Sequence, residues 1–453
     1  MGMQLLHHPN EPVVEIIEGI REALHDAEFV QRHRKWPKAF TRQRCLSFQH
    51  LMLLLLQKTL KAVQLHLHEY FGRLAGVAVR ASVSASAWTQ ARAKLSHGAF
   101  IELNQAVVLR RAYASDGPLT ARRWRGHRLL ALDSSLVRLP AEVKIAEAFG
   151  WVECSNQRGE LDCRYPQARL SVVYDVLNRL ALDARLEAWK QGERAVGIAQ
   201  LAATGADDVV VTDRGYASYE WFAQVMGRQQ HFICRCARGT FAVSERLFER
   251  DEAGVSVTVS VGPPNGQVEA VRRAGLPESL TVRWVTVRLS SGELAVLATS
   301  LLDEPRYPSA CFAQAYGYRW GEETFYGLVK GRLDLENFSG RSVESVQQDV
   351  HAMILLSNLE SVVTRSAQAR LDRASKRGRQ PVQVNRAVSF HALKSHLMEL
   401  LASMLPTLEV LKRLEKLFLG NPVSVRAGRK RPRHKRSAWR SYHYQRTRRK
   451  IVF

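Results

Sequence analysis

Tyr316-Gly-Tyr-Arg319-Trp-Gly-Glu-Glu323-Thr-Phe-Tyr-Gly-Leu-Val-Lys330 is the stretch on which the reading of this chain turns. Taken as one α-helix, it places Tyr316, Arg319, Glu323 and Lys330 at i, i+3, i+7 and i+14. At about 100° of rotation per residue, the four fall within an arc of about 60° on one face. A phenol, two cations and a carboxylate on so narrow a stripe have two physical readings. One is a solvated face with an i, i+4 Arg–Glu pair, contributing only about 0.2–0.5 kcal/mol. The other is a surface that meets a metal-bound phosphodiester, the Glu taking the cation and Arg319 and Lys330 taking phosphate oxygens.

The gaps of two, three and six residues resemble, at all four positions, the signature of DDE transposases of the insertion-sequence-4 family. Trp320 after the Arg, and Gly331-Arg-Leu-Asp-Leu-Glu-Asn-Phe-Ser-Gly-Arg341 after the Lys, are similar to that family's continuation. Glu322 departs from the pattern, standing where the family usually has an aliphatic residue. It points about 100° off the stripe, so Glu323 is the expected ligand.

Two apolar runs upstream each end in an acid. His127-Arg-Leu-Leu-Ala-Leu-Asp133 is followed by Ser134-Ser-Leu-Val-Arg-Leu-Pro140, and Asp208-Val-Val-Val-Thr-Asp213 by Arg-Gly215-Tyr216. A strand that ends in a carboxylate sets a ligand on a rigid element. Asp133 and Asp213 are similar to the family's first and second catalytic acids. Asp116 competes for the first place, but its Gly-Pro turn accounts for it. Asp175 and Asp183 read as structural strand residues, and Asp208 as a loop residue before its strand.

Residues 169–176 and 179–186 read as a hairpin, 193–203 as a helix and 231–236 as a further strand. Strand, strand, strand, helix, strand, helix is the order of an α/β, ribonuclease-H-like catalytic core. A β-rich insertion at about 237–303 precedes the signature helix. The expected division is a helical N-terminal DNA-binding domain (1–120), the catalytic domain (121–367), a helical C-terminal region (368–424) and a basic tail (425–453). Within the third part, 343–365 reads as a long amphipathic helix, 368–379 as a polar linker and 389–419 as helical.

The resemblance implies a metal-dependent enzyme of cut-and-paste DNA transposition. Asp133, Asp213 and Glu323 would be catalytic and would hold two Mg²⁺ about 4 Å apart, with Mn²⁺ as a substitute. Tyr316, Arg319 and Lys330 would bind phosphate. The implied partner is double-stranded DNA, as transposon ends and as target, with a homodimer in the DNA complex. Two rival readings stay open at this point: a basic DNA-binding repressor without catalysis, and a ribonuclease-H-fold nuclease that never joins strands.

Composition agrees with a polyanionic partner. The net charge is +23 over 453 residues and the isoelectric point about 10.1. From Arg426 to Lys450 there are twelve Lys or Arg and no acid. Arg429, Lys430 and Arg431 in that tail, with Trp439, Tyr442 and Tyr444 interleaved, read as a non-specific DNA arm or a solvated one. A second DNA-facing candidate is the segment from Ser82 to Leu95, whose Thr89, Gln90, Arg92 and Lys94 offer donors for bases and phosphates. The alternative is an ordinary amphipathic helix with Trp88 and Leu95 in a core. Ser47 and Ser86 are expected N-caps. Trp284, beside Arg283, is a candidate for stacking on an exposed base, or else a core residue.

Met1 to Asn10 lacks a basic start followed by an apolar run, and Leu51–Leu56 is far too short to span a bilayer. A bacterial cytoplasmic protein, nucleoid-associated when bound to DNA, is expected. The six cysteines lack zinc-site spacing and read as reduced thiols.

Overall fold

Leu129, Leu130, Ala131 and Leu132 are shut from solvent and open β1 (Leu129–Arg138). The computed structural model describes residues 10–42, 44–59, 61–75, 83–114, 121–155, 160–376, 380–403 and 405–425. Its contacts divide the chain into a sheet unit, 121–137 with 167–328, and a helical unit made of the described parts of 1–120, 138–166 and 329–453.

The sheet unit carries β2 (Leu161–Asp175), which begins in the helical unit, β3 (Leu180–Ala188), β4 (Val209–Thr212) and β5 (His231–Cys236). Three more strands follow: β6 (Ser256–Val261), β7 (Leu280–Arg288) and β8 (Leu294–Thr299). Among these strands the order across the sheet is β3-β2-β1-β4-β5-β8-β7-β6, and a ninth strand, Trp151–Ser155, pairs with the first half of β2. β2 and β3 form the expected antiparallel hairpin. Arg179 in its turn takes a positive φ of 57°. β4 then adds parallel to β1, and β5 parallel to β4. Parallel neighbours need a crossover. Helices α1 (Glu193–Gln200) and α2 (Tyr219–Met226) supply them. This is the ribonuclease-H-like arrangement.

The stretch expected as a β insertion extends the same sheet. β8 pairs antiparallel with β5, from Ile233↔Thr299 to Cys236↔Val296. Helices α3 (Ala242–Arg250), α4 (Ala310–Gly317) and α5 (Trp320–Gly327) also belong to the unit, with the short helix Val268–Arg273. On one face, Phe312, Ala315 and Tyr316 of α4 join Val209, Val211, Ile233, Val285 and Leu297 in the core. The β-branched runs supply that face because each strand exposes alternate side chains to it.

In the helical unit, Ser47 caps Phe48–Gln57 as expected. The cap of Ala85–Arg92 is Ser84 rather than Ser86, its hydroxyl accepting from the Ala87 N–H. The helix Val343–Val363 is buried almost all round, so it is a central helix and not an amphipathic one. The expected linker after it is largely the helix Arg365–Lys376, followed by Arg386–Leu401 and Thr407–Gly420. The unit boundary falls at Val329 and not near 367, so Val343–Val363 groups with the N-terminal helices. Cys45, Cys154, Cys163, Cys234, Cys236 and Cys311 are free. Among the described residues no helix is long and apolar enough to cross a membrane.

Candidate active site

Asp133 is not at a strand end. β1 continues to Arg138, but its parallel pairing with β4 stops at Ala131↔Val211, so Asp133 lies just past the point where the two strands part. Its Oδ1 accepts the Ser134 N–H at 2.7 Å, and its carbonyl accepts the Tyr326 hydroxyl at 2.9 Å. Asp213 follows β4 directly, and its Oδ1 accepts the Gly215 N–H at 2.8 Å. That bond turns the chain back beside the acid. Glu323 stands in the first turn of α5.

Arg319 draws two of these acids together. Its Nη1 donates to Asp133 Oδ2 at 3.3 Å and its Nη2 to Glu323 Oε1 at 2.8 Å. The guanidinium lies 5.7 Å from the centre of the Tyr316 ring, and Arg319 is only 8% exposed. Burial would lower its pKa, but Tyr316, Asp133 and Glu323 together raise it. Burial, then repulsion from Glu193 and Asp213, pushes the Asp133 acid up to about 7, against the pull of the Ser134 N–H and Arg319.

Two further acids belong to this crowd. Glu193, at the start of α1, accepts the Ser134 hydroxyl at 2.5 Å, and Arg169 donates to the same hydroxyl at 2.6 Å. A β-carbon built on Gly215 would lie 3.1 Å from Asp213 Oδ1 and 3.6 Å from Glu193 Oε2, so both carboxylates border one glycine. Sequence reasoning missed Glu193, because an acid in a helix's first turn is already favoured there by the helix dipole. Glu322 is fully buried, and neither carboxyl oxygen has a hydrogen-bond partner, although the Asp133 backbone lies close. Burial, with Asp133 next, raises its pKa well above the usual carboxylate range.

Other expected site residues fall differently. The signature is not one straight α-helix: Tyr318 and Arg319 separate α4 from α5, and Leu328–Arg332 continues as a π-helix. The wider π turn breaks the 100° register that put Lys330 on the stripe. Lys330 groups with the helical unit, where burial lowers its pKa and Glu336 opposes the shift. Tyr316 is 2% exposed and sits in the core beneath Arg319, not open to a ligand. Trp284 is fully buried on β7 and packs against Phe241, ring centres 5.0 Å apart, which removes it as a stacking platform. Asp175 is fully buried and caps its hairpin turn through the Leu177 and Asn178 N–H groups. Asp183 accepts from Arg185 and Gln200, and Asp208 is held by Arg128. Asp116, Arg429, Lys430 and Arg431 lie outside the described residues.

Arg92 is a correction as well. It is 4% exposed and donates to Gln348, Ser339, the Ser345 carbonyl and Asp349, at 2.6–2.7 Å. It ties helix Ala85–Arg92 to Val343–Val363 and offers nothing to DNA. Lys94 is placed otherwise. With Lys38, Arg42, Arg44 and Gln90 it lines a cavity of about 420 Å³ that has no acidic residue in its wall.

The donor chemistry around Asp133 suits a hard cation, since every candidate ligand is a carboxylate oxygen and an orphaned carboxyl stands behind them. The arrangement does not: among the described residues no three His, Cys, Asp or Glu side chains are grouped closely enough to hold a metal ion. Arg319 stands between two of the three expected ligands.

The family model described as "Transposase DDE domain" matches residues 124–359, spanning all three acids. The transposase InsG for insertion sequence element IS4 of Escherichia coli strain K12 is 24% identical over 286 residues, which is 62% of this chain and 61% of that protein. The chain thus spans about three-fifths of the length of this curated relative. The piggyBac transposase in a synaptic complex with hairpin DNA aligns over 92% of this chain and 88% of its own, with 12% identity and a TM-score of 0.44. The match over 124–359 takes in more than half of the sequence, and this chain belongs to the DDE-domain transposase family.

Proposed function

We propose that this protein cuts DNA at the ends of an insertion sequence and joins the freed ends to target DNA, using Asp133, Asp213 and Glu323. The observation that carries the proposal is the Arg319 guanidinium bonded to both Asp133 and Glu323, two acids brought together from distant parts of the chain. A structural ion pair needs one acid; two acids on one buried cation, with Asp213 and Glu193 in the same field, make a site built to manage concentrated charge. Mg²⁺, as two ions, or Mn²⁺ in its place, would supply charge neutralisation and activation of water or a 3′-hydroxyl when bound.

The chain's own residues then have separable tasks. Asp133 sits on β1, Asp213 directly after β4 and Glu323 on α5, so regular elements carry or flank all three carboxylates. Arg319 offers a planar pair of donors to a phosphate beside the scissile bond. Tyr316 supports the guanidinium from beneath. The cationic cavity of Lys38, Arg42, Arg44 and Lys94 binds the phosphate backbone near the terminal repeat. Two ends must be held at once, so the working form on DNA is a homodimer at the bacterial nucleoid.

The test pairs cleavage with binding. Asp133→Asn, Asp213→Asn and Glu323→Gln are each expected to lower Mg²⁺-dependent nicking of end-containing DNA on the order of 10³-fold, with gel-shift affinity for the ends retained. A Glu323→Gln protein that nicks like wild type removes the assignment. A strand-transfer assay with pre-nicked ends separates joining from hydrolysis alone.

A further inference from the structure

Helix Phe48–Gln57 ends at Lys58, and the chain returns as helix Val63–Ala75. With the turn after the π-helix Leu328–Arg332 and with helix Arg386–Leu401, these segments wall a cavity of about 400 Å³ inside the helical unit. None of its lining residues belongs to the proposed active site. The wall carries four cations, Lys58, Lys61, Arg332 and Lys394, against two acids, Glu69 and Asp334, which leaves two positive charges over. Lys61 is met by Glu69 at 2.6 Å. Lys394 donates to the Lys58 carbonyl at 3.0 Å, which uses one of its three N–H groups. Two hydroxyls in the wall are buried without a hydrogen-bond partner: that of Tyr70, a residue 2% exposed, and that of Thr59. Burial raises the pKa of the Tyr70 phenol, so it stays a donor. An unpaired buried hydroxyl is costly, and a ligand oxygen that accepts from it removes the cost.

We propose that this cavity binds a small phosphate monoester of about mononucleotide size, its phosphate held by Lys394, Arg332 and the hydroxyls of Tyr70 and Thr59. The four donors come from four segments of the chain, and the three terminal oxygens of a phosphate can answer them where the two of a carboxylate cannot. A monoester carries a charge of about −1.5 to −2 at neutral pH, which matches the surplus in the wall better than the single charge of a phosphodiester. Burial lowers the pKa of Lys394 to about 8, against the pull of Asp334, and an adjacent dianion restores its charged form. A phosphate fills only a small part of the cavity, whose size is that of a small-molecule site. The remainder takes an organic group against Leu333 and the Tyr70 ring. Arg332 and His391 are exposed and mark the open side. A rigid duplex cannot bring its backbone to a hydroxyl as deep as that of Tyr70, so the ligand is a small molecule. The site does not rest on the reading of Asp133, Asp213 and Glu323.

Calorimetric titration of the full-length, DNA-free protein with adenosine 5′-monophosphate, inorganic phosphate and adenosine tests this. The monophosphate and inorganic phosphate are expected to compete for one site, the monophosphate binding more tightly, and adenosine about tenfold or more weaker than either. Tyr70→Phe deletes an oxygen that has no partner in the protein. It should keep the wild-type melting temperature and lose about tenfold in affinity for the monophosphate. Lys394→Met should lose at least as much, and Arg332→Gln, on the exposed side, takes its place should that variant not fold. Unchanged affinity in these variants puts the anion elsewhere on this basic chain and overturns the proposal. So does wild type that binds neither the monophosphate nor phosphate, or that binds adenosine as tightly. A DNA duplex without insertion-sequence ends should leave monophosphate binding intact; displacement by the duplex would assign the cavity to the DNA backbone and overturn the small-molecule reading. Strand cleavage is read separately in the nicking assay, so either proposal can fail without the other.

Discussion

A methyl added at Gly215 would press on one carboxylate. It would sit 3.1 Å from Asp213 Oδ1, so that oxygen has to give by a few tenths of an ångström, and at ordinary contact distance, 3.6 Å, from Glu193 Oε2. Gly215 is not among the residues with positive φ, so alanine strains the site and not the backbone. Gly215→Ala is expected to lower end cleavage by about 10²-fold, since small misplacements of catalytic groups are that costly, with the melting temperature nearly unchanged. Glu193→Gln asks the complementary question. The amide oxygen can still accept the Ser134 hydroxyl, but one negative charge leaves a group in which Asp133 already feels repulsion. The metal-free protein should gain about 1 kcal/mol in urea denaturation while losing cleavage, the usual exchange between stability and an active site held under electrostatic stress. A destabilised Glu193→Gln protein would show that the carboxylate is structural.

At the scale of elements, the site depends on how closely α1 approaches β1. A β-carbon on Gly197 would come within 2.7 Å of Leu132 Cδ2 and 2.8 Å of the Tyr216 ring, so the helix can pack there only through a glycine. Gly197→Ala must lift α1 from the sheet and take Glu193 with it. A loss of about 1–3 kcal/mol is expected from such overpacking, measured by denaturant unfolding. Arg92, ending helix Ala85–Arg92, and Lys94, just beyond it, have different surroundings. Arg92→Ala removes the guanidinium from buried Asp349, leaving it the Ser339 hydrogen bonds and the field of Lys58, and should cost about 3 kcal/mol. Lys94→Ala, Arg42→Ala and Arg44→Ala remove charges from a wall without acids. They should leave stability alone, weaken DNA binding across sequences and flatten its salt dependence.

For the molecule as a whole, acid stability is set in part by His351 in the helical unit. It is 6% exposed, and its ring stacks on His97 with centres 5.5 Å apart. Burial first, then the charge of His97, lowers its pKa to about 3, against the pull of Glu344. An imidazole neutral in the folded chain but protonated near pH 6.5 once unfolded favours folding fully above that pH. Its contribution is lost as pH falls from 6.5 towards 3, at about 1.4 kcal/mol per pH unit. Glu344, held at about 2 by its hydrogen bonds from His97 and Lys35 despite burial, adds a loss only below about pH 4.5. Wild type should therefore lose about 2 kcal/mol between pH 6.5 and 5 in urea titrations, and His351→Gln should remove most of that slope. A slope unchanged in the variant would assign the acid sensitivity to other groups.

The sequence by itself determined the alternation of strands and helices in the sheet unit, the acids that follow two apolar runs, and the Tyr-Arg-Glu spacing around residue 319. These are legible because side-chain period and turn chemistry are local properties of a few neighbouring residues. Only the tertiary structure decided that 256–299 extends the main sheet, that Trp284 and Arg92 are interior, and that Lys330 leaves the stripe at a π turn. It alone set Glu193 beside Asp213 and Arg319 between Asp133 and Glu323. Burial and proximity arise from contacts between segments up to hundreds of residues apart, and no short pattern in the chain encodes which partner a side chain will meet.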